Sequence, residues 1–348
     1  MLLFEVLKKK PIICSLVVLY IAFCIYYLLR IKTLLHQIKA NNQPRWESII
    51  PDPKKYSTLI TFFGMVIFLI PRFLFILICI LTFIIVGNIT HKLKSTKVVA
   101  IQNRIFSIIA RIVLFLFGVL RIKETYVSNI NWKKYPHIKK SSCRNPPVII
   151  SNHIGYFDII YSIFKFVPSF IAGTHAKKMP IVGEVAQALK CVFVDRKDKM
   201  SKEGTLTKIV EKVNEIYSNK GNKKVNPPLF IFPEGIVSKD NFIKPFKRGA
   251  FAALKPIQPI HIGFASMFWN SAYYWFDLLD DIVMVLSQPY QVLKVSILPQ
   301  IEPVTDDVTE YCNEVQKLYV DVLKLTPCSF DIFERDDFLN KVKTGKTD

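Results

Sequence analysis

Long apolar runs occupy the first part of the sequence. Residues 11–29 carry no charge, and at about 1.5 Å per helical residue such a run spans a hydrocarbon core of about 30 Å. A cleaved signal peptide is the alternative, but the run is longer than a typical signal segment and no small-residue cleavage site follows it, so a retained helix is favoured.

A second apolar stretch covers residues 59–89 and is interrupted at Pro71 and Arg72. It is too long for one straight span and rather short for two. A proline-broken re-entrant hairpin, or a tilted helix preceded by an interfacial one, fits this length better than two full crossings. A single span after Pro71 is the alternative. Residues 1–102 are therefore predicted to be an N-terminal membrane region.

An amphipathic segment follows. In residues 103–121, Arg104 and Arg111 are seven positions apart on an otherwise apolar sequence, so they share one face of a helix. Such a helix lies at a membrane interface or packs on a catalytic domain. The sequence then becomes rich in Lys, Asn and Ser, so residues 103–147 are predicted to be an amphipathic helix and a polar loop.

Short apolar runs alternate with helical patterns in residues 148–305. Strands are predicted at residues 148–151, 170–172, 192–194, 229–232, 259–263 and 292–298. A helix with apolar positions at 3/4 spacing is predicted at residues 202–218. This order indicates an α/β fold, a mostly parallel sheet flanked by helices, behind an N-terminal transmembrane or interfacial helical region. Residues 306–348 are predicted to be a helix, capped by Thr305 or Asp306, and a polar tail.

Composition narrows the class of partner. The residues are 51% hydrophobic and the formal net charge is +20. A basic chain favours nucleic acid or an anionic membrane surface. Because a nucleic-acid binder does not need segments of bilayer length, the lipid bilayer is the predicted partner and nucleic acid is not. The seven cysteines form no C-x-x-C pair, so neither a disulfide framework nor a zinc site is predicted, and the catalytic part is expected to face a reducing compartment.

The first candidate for chemistry is a histidine and an aspartate that follow the predicted strand 148–151. His153 can take a proton from a hydroxyl near neutral pH, and a carboxylate five residues later, Asp158, can fix its tautomer and stabilise the imidazolium. The end of a strand in an open α/β sheet is also where sites are usually built. The alternative is a loop histidine beside a helix-capping aspartate.

Three further blocks follow in order. The strand 192–194 ends at Asp195 and Arg196, and an arginine there suits a phosphate. Phe232 and Pro233 lead into Glu234 and Gly235, where glycine permits close approach of a substrate. The third block is a proline-led apolar strand at residues 256–262.

Basic side chains follow the Glu234-Gly235 pair. Lys244 and Lys247 belong to a run that forms either a landing site for a phosphate-rich substrate or a solvated face. The predicted substrate-binding residues are the polar, glycine and basic positions of these blocks, namely Asn152, Arg196, Glu234, Gly235, Ser238, Lys244 and Lys247. No metal site is predicted.

The four blocks in this order resemble the glycerolipid acyltransferases of the lysophosphatidic-acid-acyltransferase type. The motifs of that family are His-x4-Asp, a strand ending in Arg, Phe-Pro-Glu-Gly and a proline-led apolar strand, here within residues 148–263. Other stretches look most like the eukaryotic lysophosphatidylcholine and lysophosphatidylethanolamine acyltransferases and their glycerol-3-phosphate acyltransferase relatives. These stretches are residues 176–183, 191–196, 246–251 and 268–271.

The resemblance implies a function and roles. His153 would be the general base, Asp158 its orienting partner, and Arg196 a ligand of the acceptor's phosphate, while Glu234 and Gly235 would help to form the acceptor site. Acyl-CoA would be the co-substrate and no cofactor would be permanently bound. An integral protein of the endoplasmic reticulum membrane is implied. The sequence does not determine the oligomeric state.

The implied reaction is acyl-CoA-dependent transfer of a fatty acyl chain to the free hydroxyl of a lysophospholipid, in phospholipid synthesis or remodelling. Enzymes that act on lysophosphatidic acid commonly have Thr-Arg where this chain has Ile236 and Val237, and this loss of a positive charge favours an acceptor with a phosphodiester headgroup. Glycerol-3-phosphate or lysophosphatidic acid is the alternative acceptor. A non-catalytic lipid-binding protein is the second alternative, which the retained His153 and Asp158 disfavour.

Overall fold

A computed structural model describes residues 11–40, 56–93, 95–143, 145–179, 182–194, 201–218, 227–266, 278–330 and 332–344. Its helices are α1 (Pro11–Ala40), α2 (Thr58–Gly64), α3 (Ile70–Leu93), α4 (Thr96–Leu116), α5 (Tyr156–Phe166), α6 (Val182–Ala188), α7 (Ser201–Ser218), α8 (Leu278–Leu286), α9 (Val308–Leu323) and α10 (Ile332–Thr344). The strands are β1 (Val119–Tyr126), β2 (Ile138–Lys140), β3 (Val148–Ser151), β4 (Ser169–Gly173), β5 (Val192–Val194), β6 (Leu229–Ile231), β7 (Phe242–Ile243), β8 (Ile257–Ser266), β9 (Gln291–Ile297), β10 (Ile301–Pro303) and β11 (Thr326–Pro327).

Three of the described helical segments are long and apolar enough to cross a membrane. They span Ile12–Gln37, Thr58–Thr90 and Thr96–Leu116. Helix α1 contains the predicted helix of residues 11–29 and continues to Ala40. Many of its apolar side chains are exposed, as are those of α3, which is the pattern of surfaces that face lipid. The chain is thus a membrane protein.

The apolar stretch of residues 59–89 is not broken at Pro71, contrary to the prediction. A π-helical turn, Met65–Leu69, joins α2 to α3, so the helical path continues through the proline. Proline lacks an N–H group and its ring clashes with the carbonyl of the preceding turn. The wider π turn directly before Pro71 absorbs this conflict within a continuous helix.

A mostly parallel sheet forms the centre of the domain. Its main path runs β1-β9-β8-β3-β6-β4-β5, with β10 and β2 attached at β8. Strand β3 pairs in parallel with both β6 and β8, whereas β8 and β9 are antiparallel. The predicted α/β fold class is therefore confirmed, and β3 and β6, which precede two of the sequence motifs, are neighbours.

The sheet begins earlier than predicted. Helix α4 covers Thr96–Leu116 and ends before Arg121, which lies in strand β1 rather than on an amphipathic helix. Strand β1 pairs in parallel with β9, and β2 pairs with β10, so the segment up to residue 147 is more than a polar loop. Strands β1 and β2 of the sheet thus precede the boundary predicted at Val148.

The C-terminal segment also differs from the prediction. Helix α9 begins at Val308, and its N-cap is Asp307, whose side chain accepts a hydrogen bond from the amide of Thr309; neither Thr305 nor Asp306 is the cap. The segment beyond it forms β11 and α10 rather than a polar tail. Strand β11 pairs with β7, which lies more than 80 residues earlier.

Both faces of the sheet are buried. In β3, Ile149 joins an apolar cluster with Phe106 of α4 and Phe157 of α5. Val148 and Ile150 point the other way, into a cluster that contains Val315 of α9. This alternation along one strand fixes which side chains face each layer of helices.

The apolar N-terminal segments pack tightly on the domain. A Cβ atom on Gly64 would lie 1.9 Å from the backbone oxygen of Ser287, so the helix and the chain after α8 are in close contact. Arg72 of α3 donates hydrogen bonds to the carbonyls of Leu286, at 2.8 Å, and of Gln288. An arginine thereby caps the C-terminal end of α8, where its charge also favours the helix dipole.

We expect Gly64→Ala to destabilise the protein by about 1–3 kcal/mol, because the new methyl group would overlap backbone rather than a movable side chain. Gly204→Ala in α7 is the matched control, since no atom lies within 4 Å of a Cβ built there, and alanine is the better helix former by about 1 kcal/mol. Thermal unfolding in nanodiscs would measure both. Equal melting temperatures for Gly64→Ala and the wild type would contradict the close packing.

Candidate functional site

The loop between β3 and α5 brings His153 and Asp158 together. The Nδ1 atom of His153 lies 2.8 Å from Oδ2 of Asp158. The Asp158 side chain is fully buried, whereas that of His153 is 20% exposed. With Nδ1–H donated to a carboxylate, Nε2 of the neutral ring is the nitrogen that can accept a proton.

The position of Asp158 is set by the start of α5. It lies in the first turn, where the positive end of the helix dipole stabilises a carboxylate. Its Oδ2 atom also accepts hydrogen bonds from the backbone amides of Ile154 and, at 3.2 Å, Gly155. Gly155 has a φ of 128°, a conformation that favours glycine and lets the loop turn back onto the carboxylate.

Glu234, in the loop after β6, holds the backbone of His153. Its Oε1 atom accepts the amide hydrogen of His153 at 3.0 Å. Its Oε2 atom accepts from the hydroxyl of Ser238, at 3.1 Å, and from the amide of Lys244, at 2.9 Å. The amide of Ser238 in turn donates to the carbonyl of His153 at 2.9 Å. Both backbone polar groups of His153 are thus bonded to this one loop, which we call the Glu234–Ser238 loop.

Burial changes the titration of Glu234. Only 1% of the residue is exposed. Loss of solvent raises the pKa of Glu234 to about 7, although the hydrogen bonds from Lys244, His153 and Ser238 act in the opposite direction. The buried carboxylate accepts three hydrogen bonds from within the protein, so it holds the two loops together and is not open to solvent.

An aromatic ring covers His153. The ring of Phe232 stacks on the imidazole, with centroids 4.1 Å apart and planes 16° apart. This contact restricts rotation of the imidazole, and the face of an aromatic ring attracts a cation such as imidazolium. Phe232 belongs to the Phe-Pro-Glu-Gly motif, but no role is predicted for it from the sequence. The signal that could have identified it is an aromatic residue at the end of a strand close to the motif of the predicted base.

Two of the predicted binding residues, Asn152 and Lys244, are buried inside the protein. The side chain of Asn152 is buried and bridges strands, donating to the carbonyl of Ile262 and accepting from its amide, both at 2.8 Å. Lys244 is also buried, with its ammonium 3.6 Å from the centroid of Phe330. Neither Asn152 nor Lys244 therefore presents an open polar surface to a substrate.

Lys247 and Gly235 lie together at the site. Gly235 has a φ of 71°, in the left-handed region that favours glycine. A Cβ atom on it would lie 2.5 Å from Nζ of Lys247, so the ammonium is held against this glycine. The side chain of Lys247 is exposed. Arg196, the other predicted phosphate ligand, lies outside the described residues.

His261, in β8, has a hydrogen-bond partner within the protein. Its Nε2 atom is 2.8 Å from the carbonyl of Asp240, and burial lowers its pKa. The arrangement around His153 is therefore the one suited to proton transfer: a part-exposed imidazole, a buried carboxylate on one nitrogen and a fixed backbone. Within the described ranges, no three His, Cys, Asp or Glu side chains gather in a way that could hold a metal ion.

The raised pKa of Glu234 predicts a pH dependence of stability. The folded state binds this proton more tightly than an ordinary glutamate with a pKa of 4.5. The associated stability is present below that value and is lost as the pH rises through about 7. From pH 5 to pH 8, the free energy of unfolding of the wild type should therefore fall by about 2.5 kcal/mol more than that of Glu234→Gln.

Denaturant unfolding at a series of pH values would measure this difference. The amide of Glu234→Gln does not titrate, so the variant's changed hydrogen bonds shift its absolute stability but not its slope with pH. Parallel curves for the two proteins would show that Glu234 is not a buried, titrating carboxylate.

Comparison with known proteins supports the resemblance seen in the motifs. A family model described as Acyltransferase matches residues 129–263. The lysophospholipid acyltransferase LPEAT1 of Arabidopsis thaliana is 30% identical over 228 residues, which cover 60% of this chain and 56% of the relative. The lysophosphatidylcholine acyltransferase 2B of Rattus norvegicus is 28% identical, over 54% of this chain and 36% of the relative.

A third curated relative and one solved structure are also similar to this chain. The lysophospholipid acyltransferase LPCAT4 of Mus musculus is 26% identical, over 64% of this chain and 40% of the relative. The chain thus spans about half the length, or less, of these curated relatives. The crystal structure of the 1-acyl-sn-glycerophosphate acyltransferase PlsC from Thermotoga maritima superposes with a TM-score of 0.43 at 18% identity, over 73% of this chain and 98% of that one. The sequence matches identify residues 129–263 as an acyltransferase domain.

Proposed function

We propose that this protein transfers a fatty acyl chain from acyl-CoA to the free hydroxyl of a lysophospholipid, in phospholipid synthesis or remodelling. The observation that carries the proposal is the pair formed by His153 and Asp158, at 2.8 Å, within a domain that matches the acyltransferase family. A lipid-binding protein without catalysis would not need an imidazole held in this way by a buried carboxylate. That contrast disfavours the non-catalytic alternative.

The proposed mechanism is direct acyl transfer. Nε2 of His153 removes the proton of the acceptor hydroxyl as the oxygen attacks the carbonyl carbon of the thioester. The tetrahedral intermediate collapses, the carbon–sulfur bond breaks, and the imidazolium returns the proton to the leaving thiolate. Asp158 and the stacked ring of Phe232 stabilise the imidazolium between these steps. No acyl-enzyme forms.

The roles of the other predicted residues follow their contacts. Glu234 and Ser238 position the backbone of His153, and Asn152 supports the loop from β8. Gly235 and Lys247 are the proposed contacts of the acceptor's phosphate, because the exposed ammonium of Lys247 lies against Gly235 in the Glu234–Ser238 loop. Arg196 is proposed as a second phosphate ligand, as the motif resemblance implies.

The acceptor is proposed to be a lysophospholipid with a phosphodiester headgroup. The names of the relatives in Arabidopsis and rat specify lysophospholipid and lysophosphatidylcholine, and Ile236 and Val237 leave the Glu234–Ser238 loop without the cation common in enzymes of lysophosphatidic acid. Glycerol-3-phosphate or lysophosphatidic acid remains the second candidate acceptor, because Lys247 supplies one cation near the same loop. Long apolar helices support a bilayer-resident acceptor, and the endoplasmic reticulum is the proposed membrane.

The proposed catalytic unit begins at β1 rather than at Val148. Strand β1 pairs with β9 in the same sheet as β3, and it is tied to α5 by a hydrogen bond of 2.9 Å from the Tyr161 hydroxyl to Glu124. Residues before Val119 would then form the membrane region and its connection through α4.

The direct test measures CoA release by purified protein in nanodiscs, with labelled acyl-CoA and a panel of acceptors. We expect release only with an acceptor, and faster with lysophosphatidylcholine or lysophosphatidylethanolamine than with lysophosphatidic acid or glycerol-3-phosphate. His153→Ala should lower kcat at least about 10³-fold, because it removes the general base, while leaving the protein folded.

The matched control is His137→Ala, which removes a half-buried histidine whose side chain pairs with Glu310 rather than with a residue of the site. It should retain the wild-type kcat. Release of CoA without any acceptor would refute the transferase proposal, and normal turnover by His153→Ala would show that the base is elsewhere. A preference for glycerol-3-phosphate would select the second candidate acceptor.

A further inference from the structure

An ion pair joins the N-terminal apolar helix to the domain. Arg30 of α1 holds the carboxylate of Asp280 in α8 through two nitrogens, with Nε 3.1 Å from Oδ1 and Nη2 3.0 Å from Oδ2. The side chain of Asp280 is 3% exposed and that of Arg30 is 39% exposed. A two-point contact of this kind fixes orientation as well as distance. Helix α1 therefore has a defined position against α8.

An apolar cluster accompanies this ion pair. We call it the α1–α8 cluster; it is built by α1, the π turn, α8 and the C-terminal segment, through Cys24, Tyr27, Ile31, Leu34, Leu35, Met65, Leu69, Val283, Met284, Leu286, Phe330 and Phe338. Ile236 and Val237 pack against it and are only partly exposed. Ile236 and Val237, which stand where relatives commonly have a hydroxyl and a positive charge, thus pack against a cluster that includes residues of the membrane region.

These two residues lie in the middle of the Glu234–Ser238 loop. Its ends hold the main chain of His153, through the carboxylate of Glu234 and the amide of Ser238. The loop is therefore fixed on one side by the apolar cluster and on the other by the catalytic histidine. A shift of α1 would be felt at His153 through this short path, because packed interiors transmit displacement.

We propose that Arg30 is a positioning residue: by locking α1 to α8 through Asp280, it keeps the α1–α8 cluster closed against Ile236 and Val237, and so keeps Glu234 and Ser238 bonded to His153. Helix α1 then supports the geometry of the catalytic site as well as anchoring the chain in the membrane. The kinetic consequence rests on the proposed function, whereas the structural consequence does not.

Arg30→Ala in the full chain, in nanodiscs, tests this coupling by two readouts. Hydrogen exchange should become at least about 10-fold faster in residues 235–238, whose Ser238 amide donates to His153. Exchange in β9 should be unchanged. The kcat should fall about 10-fold or more with the KM for acyl-CoA unchanged, because the base is misplaced while the donor site is intact.

Lys32→Ala is the matched control. It removes the same charge from the same helix, but its side chain is exposed and on a different face, so both readouts should match the wild type. Asp280→Asn should reproduce Arg30→Ala, and Arg30→Asp combined with Asp280→Arg should restore a large part of the loss. A variant that only loosened membrane anchoring would leave exchange in the loop unchanged.

Wild-type exchange of residues 235–238 in Arg30→Ala would overturn the proposal. If Arg30→Ala does not fold, Arg30→Lys carries the test, since it keeps the charge but loses the two-point contact; no faster exchange there would also overturn it. Faster loop exchange in a protein whose wild type transfers no acyl group would uphold the coupling and refute the proposed function instead.

Discussion

The buried carboxylate of Glu234 is the tie on which the site depends. It accepts hydrogen bonds from the amides of His153 and Lys244 and from the hydroxyl of Ser238, so it joins the loop after β3 to the loop after β6. Leaving such buried donors without a partner costs about 1–3 kcal/mol each. The same burial raises the pKa of Glu234 to about 7. The charged carboxylate that accepts these hydrogen bonds therefore also lowers the stability of the folded state.

The sheet explains why distant motifs meet. Strands β3 and β6 are parallel neighbours, and the loops after them leave the same edge, where open α/β sheets build their sites. His153 and Asp158 form the hydrogen-bonded pair proposed to be catalytic, while Phe232, Glu234 and Ser238 hold His153 in place. The apolar N-terminal helices extend this support, since α1 and the π turn share an apolar cluster with the middle of the Glu234–Ser238 loop.

The sequence predicted those parts whose information is local. Strands β3 and β5 and helix α7 were found from short apolar runs and 3/4 spacing. Strand β1 was missed because its partner β9 lies about 170 residues later, and its apolar residues continue the pattern of α4. The hydrogen bond from the His153 amide to Glu234 could not be predicted, because a turn sequence does not show where a side chain points. The pair of Arg30 and Asp280, 250 residues apart, has no local signal at all.

Steady-state kinetics of Glu234→Gln test the central claim most directly. In either orientation the new amide group meets a donor, at His153 or at Ser238 and Lys244. A misplaced base predicts a kcat lowered about 100-fold with the KM for the lysophospholipid acceptor within about 2-fold of the wild type. An unchanged kcat with a raised acceptor KM would mean that Glu234 binds the substrate, and would contradict the account.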